Sequence, residues 1–347
     1  MTLLSRNDSY ISLRAIEAVP REEVQAVKTA VIAIGGNAIL RSGEKPTQEN
    51  QVRNVAVSAK GLADLIQLGY DIVITHGNGP QVGDILLRNE IAKNEIPPMG
   101  LDVCDAESQG QIGYMLQQAL TSEFLTRGMD KVAVSLVTQV IVSETDPAFQ
   151  NPTKPIGKYY DAEEAKELQK VKGWTMSYDR KRGGYRRVVP SPDPIGIVEY
   201  KPVRRLVFGG ERQAEVVIAC GGGGIPVVRR GHRLHGVEAV VDKDLAAAML
   251  AISIKERLFV IATDVENVFV DFNKPTQRSL LRGSLTEMKK LYDEGQFPPG
   301  SMGPKILAAI RFLEGGGDEV IICSITQIVQ ALEGGAGTHI YRDDVKA

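Results

Sequence analysis

The chain has 347 residues, with 41 Lys+Arg against 43 Asp+Glu for a formal net charge of −2, and 43% of it is hydrophobic. That balance argues against a nucleic-acid binder, which needs excess cations to neutralise phosphates, and 5% aromatics with one Trp leave little for base stacking. No stretch reaches the ~18 consecutive apolar residues of a membrane span, and three scattered cysteines, Cys104, Cys220 and Cys323, read as reduced core thiols in a cytoplasmic protein.

Residues 1–27 carry Ser, Arg and Leu with few acids and lack the apolar core of a secretory signal. They read as an extra helix or flexible arm, with an organelle-targeting arm as the second reading. A domain over 28–345 follows. Val31-Ile32-Ala33-Ile34 is a short buried strand ending in Gly35-Gly36-Asn37. Gln51 to Leu68 has apolar residues at helical spacing, stopped by Gly69. Ile72 to Thr75 is a second strand, and it again runs into glycine at Gly77-Asn78-Gly79. Helices are expected near Val82–Ala92 and Ser108–Phe124, and a strand over Val132–Val142.

Between about Ser143 and Val198 the alternation breaks, with six prolines and basic segments around Lys166 and Arg180. This is too long for a loop and reads as a small subdomain inserted over the sheet. The pattern resumes at Val216–Ala219, which runs into Gly221–Gly224. A helix is expected over Val237–Ile254, strands over Leu258–Ala262 and Val268–Asp271, helices over Leu285–Tyr292 and Pro304–Leu313, and a strand over Val320–Ile322. Doubly apolar strands alternating with amphipathic helices define an α/β architecture, a mainly parallel sheet covered on both faces.

Three strands that end in glycine turns place bare backbone N–H groups along one sheet edge, where α/β folds bind ligands. Helices starting there add their positive dipole ends, so the edge suits an anion. There is no G-x-x-x-x-G-K-[ST], G-x-G-x-x-G, H-E-x-x-H or G-x-S-x-G. His232 and His235 sit in a basic, glycine-flanked loop, and no metal ligand is assigned. Lys154, Lys243 and Lys305 stand out: the first and last are flanked by Gly or Pro, and Lys243 lies between acids in Val241-Asp242-Lys243-Asp244-Leu245.

Ile34-Gly35-Gly36-Asn37-Ala38, Thr75 to Gly83 and Gly221 to Pro226 together resemble the amino acid kinase superfamily. Ser108-Gln109-Gly110, Asp146 to Phe149, Pro152 to Gly157, Arg187 to Pro192, Gly236 to Leu245 and Gly300 to Lys305 are similar to the carbamate kinase family in particular. The resemblance runs from about Lys28 to Tyr341. It implies a three-layer αβα sandwich around a mainly parallel sheet, with a lid subdomain inserted at about 143–198. It implies reversible phosphoryl transfer between ATP and carbamate, giving ADP and carbamoyl phosphate, in arginine or purine-derived catabolism, by a homodimer.

The roles that resemblance implies fall by position. Gly35, Gly36, Asn37, Gly77, Asn78, Gly79 and Gln81 would form the substrate floor. Lys154 would reach the transferring group. Lys243 and Lys305 would hold the phosphates, with Asp244 orienting them as the fourth catalytic residue. Gly222, Gly223, Thr263, Asp264, Val265 and Met302 would line the nucleotide side, and Mg2+ would arrive on the phosphates. Two stretches depart from the family: Lys158-Tyr159, where Pro-Phe is usual, and Ser143-Glu144-Thr145, where Asp-Lys-Asn is usual. A kinase for another carboxylate or phosphate acceptor, a non-catalytic sensor of the same ligands, and a nicotinamide-dependent oxidoreductase lacking its fingerprint stay as rivals.

Overall fold

The structure is a computed structural model that describes residues 28–41, 43–180, 183–209 and 216–345. The arm expected over residues 1–27 lies outside the described residues. The chain opens with β1 (Lys28–Ile34), α1 (Gln48–Gln67) and β2 (Tyr70–His76). Thr47 caps α1 by accepting from the Asn50 N–H. Next come α2 (Gly79–Ala92), with Pro80 in its first turn, and α3 (Leu101–Thr126). The α3 helix begins seven residues before the expected Ser108, because Gly100 already takes up extended backbone and Asp102 suits a helix N-terminus.

The expected strand over Val132–Val142 is two strands in two sheets, β3 (Ala133–Ser135) and β4 (Gln139–Val142). The cause is Gln109 of α3. It accepts from the Thr138 N–H and donates to the Thr138 carbonyl, pulling the chain out of the first sheet.

The inserted stretch contains β5 (Lys154–Tyr160), α4 (Ala162–Lys172), β6 (Met176–Asp179) and β7 (Gly184–Val189), with β5, β7 and β6 forming an antiparallel sheet. Asp161 and Glu164 make a reciprocal capping box at the start of α4, and Gly173 ends it in the left-handed region. Then β8 (Pro194–Ile197) returns to pair with β4.

The second half runs α5 (Tyr200–Phe208), β9 (Val216–Ile218), the hairpin β10 (Ile225–Arg230) and β11 (Arg233–Gly236), α6 (Lys243–Ile254) and β12 (Leu258–Thr263). His235 lies on β11 rather than in a loop. The α6 helix starts at Lys243 rather than at the expected Val237. Asp242 is its cap, accepting from the Asp244 and Leu245 N–H groups, while Val240 donates to the Pro190 carbonyl instead of starting a turn. The chain ends with β13 (Val268–Val270), β14 (Arg278–Leu280), β15 (Arg282–Ser284), α7 (Leu285–Asp293), α8 (Met302–Glu314), β16 (Glu319–Ser324), α9 (Ile328–Leu332) and β17 (Thr338–Tyr341).

Eight strands form the central sheet in the order β15-β17-β16-β12-β1-β2-β9-β3, and only the β16–β17 pair is antiparallel. Alternate residues of β1 feed two cores. Val31 and Ala33 pack with α6 and α8, while Ala30, Ile32 and Ile34 pack with α1 and α3. This is the expected three-layer sandwich. A second sheet, β11-β10-β4-β8, flanks it. Because β16, β12, β1, β2 and β9 are adjacent and parallel, their carboxyl ends share one edge. Among the described residues no helix is long and apolar enough to cross a membrane.

Candidate active site

At that edge lies a cleft of about 1300 Å³ whose walls include Gly35, Gly36, Asn37, Lys243, Asp264 and Lys305. The turn after β1 is tied to the neighbouring strand, with the Gly35 N–H donating to the Ala262 carbonyl at 2.9 Å. Across the cleft, Asn37 Nδ2 donates to Asp264 Oδ2 at 2.8 Å and Thr263 Oγ1 to Asp264 Oδ1 at 3.1 Å. Gly77 lies under the stem of Lys243, where a methyl group would sit 3.4 Å from Lys243 Cδ.

Two lysines, Lys243 and Lys305, line the cleft, and a third, Lys154, is held next to it by Asp242. Lys243 Nζ donates to Asp244 Oδ1 at 2.5 Å, and Lys305 Nζ to Asp244 Oδ2 at 3.0 Å. Lys154 Nζ, arriving on β5, donates to Asp242 Oδ2 at 2.6 Å. Each ammonium carries three donors and spends one on these carboxylates, so hydrogens are left for an anion. Burial opposes the Asp244 charge, yet Lys243 and Lys305 more than offset it and hold its pKa well below the usual carboxylate range. Burial pulls the Lys243 pKa down, aided by Lys305 and only partly countered by Asp244. For Lys305 burial pulls the same way, but Asp244 outweighs it and the pKa is raised.

The remaining residues singled out in the sequence divide. Asn78 and Gln81 are buried behind the floor. Asn78 Nδ2 donates to Asp105 Oδ1 at 3.1 Å and to Ser108 Oγ at 2.8 Å, which is why its side chain does not cap α2, and Gln81 donates to Gln51. Gly79 opens α2, and Met302 opens α8. Lys154, Gly77, Asn78, Gly79, Gln81, Val265 and Met302 are not among the cleft walls. Gly222 and Gly223, expected on the nucleotide side, are packed behind the floor. A methyl group on Gly222 would lie 2.2 Å from Asn78 Nδ2, and one on Gly223 2.2 Å from the Val241 carbonyl oxygen. Their glycine identity answers to close packing and positive φ.

Beneath this turn, His76 is buried and donates from Nδ1 to the Gly77 carbonyl at 3.2 Å; burial drives its pKa down to about 4. Sequence reading missed Asp242, which both caps α6 and holds Lys154. An acid directly before an Ala-rich helical run is a capping signal and was available. It also missed Asp105, for which no motif gives a signal.

Residues 28–324 match the amino acid kinase family. The chain is 51% identical to the carbamate kinase of Thermococcus kodakarensis over 320 residues, 91% of this chain and 100% of that one. It is 46% identical to the carbamate kinase-like protein YahI of Escherichia coli, over 90% of this chain and 98% of the relative. Carbamate kinase from Giardia lamblia bound to AMP-PNP superposes with a TM-score of 0.84 at 43% identity, covering 92% of this chain and 99% of that one. The chain belongs to the amino acid kinase family and, within it, to the carbamate kinases.

Proposed function

We propose that the protein catalyses reversible phosphoryl transfer between ATP and carbamate, giving ADP and carbamoyl phosphate. One observation carries this reading: two lysines share the buried Asp244 and a third is held by Asp242, with the Gly35-Gly36-Asn37 turn in the same cleft wall and Gly77 against the stem of Lys243. Such a site neutralises the charge spread over a transferring phosphoryl group and aligns two anions. Carbamate is already an anion, so the reaction needs no general base, and none is required of the lysines.

In this reading Gly35, Gly36, Asn37, Gly77, Asn78 and Gly79 receive the carbamoyl end, with Gln81 bracing α2 behind them. Lys154 meets the transferring group, and Lys243 and Lys305 hold nucleotide phosphates. Thr263, Asp264, Val265 and Met302 bound the nucleotide side, while Gly222 acts through Asn78 and Gly223 through Val241. The AMP-PNP in the Giardia relative supports ATP and ADP as the nucleotides.

Magnesium fits the donor set. Asp244 is committed to two lysines, whereas Asp264 in the cleft wall is held by neutral partners, Asn37 and Thr263. Asp264 would hold the ion together with phosphate oxygens, as suits a cation that keeps several waters and needs few carboxylates. When bound it supplies charge neutralisation. The remaining parts of the reading are a homodimer, a cytoplasmic location and use in arginine or purine-derived catabolism, with residues 143–198 as a lid over the site.

The test is ATP formation from ADP, magnesium and carbamoyl phosphate, with acetyl phosphate run alongside. Rapid ATP formation with a clear preference for carbamoyl phosphate supports the reading. Binding of ADP without ATP formation overturns it in favour of a sensor.

A further inference from the structure

Three residues on one face of α3, Asp105, Ser108 and Gln109, reach two of the strand-end turns. Gln109 Nε2 donates to the Gly221 carbonyl at 3.0 Å, so it holds the turn after β9. Asp105 Oδ1 and Ser108 Oγ take both hydrogens of the Asn78 amide, so they hold the turn after β2. Ser108 in turn donates to the Asp105 carbonyl at 2.7 Å. Asp105 is 1% exposed, and its second oxygen, Oδ2, is buried with no hydrogen-bond partner among the described residues. A buried ionised carboxylate with an empty oxygen is costly; a neutral acid is far less so.

We propose that Asp105 is a positioning residue for the carbamoyl end of the site: its carboxyl group, kept as the neutral acid, fixes the Asn78 amide and through it the Gly77-Asn78-Gly79 backbone. The surroundings favour the neutral form. Burial raises the pKa well above the usual carboxylate range, opposed by the Asn78 hydrogen bond, and Asp102 of α3 and Glu238, after β11, push it further up. The neighbouring Cys104 thiol, its own pKa pushed up to about 12 by burial, adds no charge at neutral pH. On the Asn78 side, His76 is neutral for the reason given above. Ionisation would not open the Asn78 contact, because a carboxylate accepts a hydrogen bond more strongly than the neutral acid; it would leave a buried charge whose Oδ2 has no partner among the described residues, with Asp102 and Glu238 repelling it. Removing the acceptor altogether frees the Asn78 amide, and the substrate affected is then the acyl phosphate and not the nucleotide.

This inference rests on the proposed reaction, and the experiment separates the two. Steady-state KM values for carbamoyl phosphate and for ADP are measured from pH 6 to 10 for the wild type, Asp105→Asn and Asp105→Ala, with Tm recorded for each. The Asn variant keeps an acceptor for Asn78 without an ionisable group; the Ala variant loses the acceptor. For Asp105→Ala the KM for carbamoyl phosphate is expected to rise about tenfold, as for loss of roughly one hydrogen bond to a positioned group, with the KM for ADP within about twofold. Asp105→Asn keeps the wild-type KM values and raises Tm at neutral pH by about 2 °C or more, and this advantage grows with pH for as long as the folded carboxyl stays neutral while the unfolded one is ionised.

Equal changes in both KM values in Asp105→Ala overturn the positioning role. If Asp105→Ala fails to fold, a Tm difference between Asp105→Asn and the wild type that is the same at every pH still overturns the proposal. Absence of ATP formation by the wild type would instead sink the reaction itself. The Tm comparison would then still decide whether Asp105 is neutral.

Discussion

Asp244 shows how one side chain sets the charge of a whole site. It is buried, and both its oxygens are occupied by ammonium groups, so either lysine alone leaves the carboxylate half-compensated. By analogy with loss of an oxyanion donor, removing one transition-state cation costs on the order of 3–4 kcal/mol. Lys243→Ala and Lys305→Ala should therefore each lower turnover about 100-fold or more. The same ATP-formation assay checks this, and near-normal turnover in either variant removes that lysine from the mechanism.

His76 carries a prediction of a different kind. Its folded-state pKa of about 4 lies below the ordinary 6.5, so it contributes nothing above pH 6.5. As pH falls from there to about 4, the unfolded chain takes up a proton that the folded one refuses, and stability drops by roughly 3 kcal/mol. In urea titrations, His76→Gln should lose less stability between pH 6.5 and 4 than the wild type. An equal loss in both would assign the acid sensitivity to other groups.

Among elements, the contact between β5 and α2 decides whether Lys154 reaches the site. A methyl group on Gly83 would lie 2.0 Å from Gly157 Cα, and Gly157 itself has a φ of +71°. The strand thus rests on the helix with nothing between the backbones, and Ile156 joins a small apolar cluster with Val82 and Ile85. Lys172 of α4 adds an ion pair to Glu90 of α2 at 2.6 Å. Gly83→Ala must lift β5 and displace Lys154, and misplacement by about 1 Å suffices for a loss of roughly 100-fold in turnover. Gly110 on α3 is the control. A methyl group there meets nothing within 4 Å, so Gly110→Ala should stabilise by about 0.5–1 kcal/mol and leave turnover alone. Thermal melts and the activity assay on both variants distinguish the outcomes.

Elements whose burial is written in local pattern were legible: β1, β2, β12 and β16 as apolar runs, and α1 by its helical spacing. Those defined by distant partners were not. The break between β3 and β4 depends on Gln109, and the start of α6 on a hydrogen bond from Val240 to Pro190. No window of local sequence contains both members of either pair. The site divides in the same way. The glycine turns and the three lysines were visible as residue types in unusual settings. The roles of Gly222 and Gly223 as packing surfaces for Asn78 and Val241 needed coordinates, because a glycine cluster reads alike whether it faces a ligand or another side chain.

At the scale of the whole molecule, the fold brings five parallel strand ends to one edge and then adds what that edge lacks. The sheet supplies backbone N–H groups and the entry of α6; α8 supplies Lys305; the inserted unit supplies Lys154 from outside the sandwich. These pieces lie 89 and 62 residues apart, between Lys154 and Lys243 and between Lys243 and Lys305. The account therefore claims that Lys154 acts on the transferring group while nucleotide binding belongs to the body of the protein. The most direct test is Lys154→Ala, with ATP formation from ADP and carbamoyl phosphate and equilibrium ADP binding measured on the same sample. The account predicts turnover lower by about 100-fold with the Kd for ADP within about threefold of the wild type. Near-normal turnover, or ADP binding lost in proportion to activity, would contradict it.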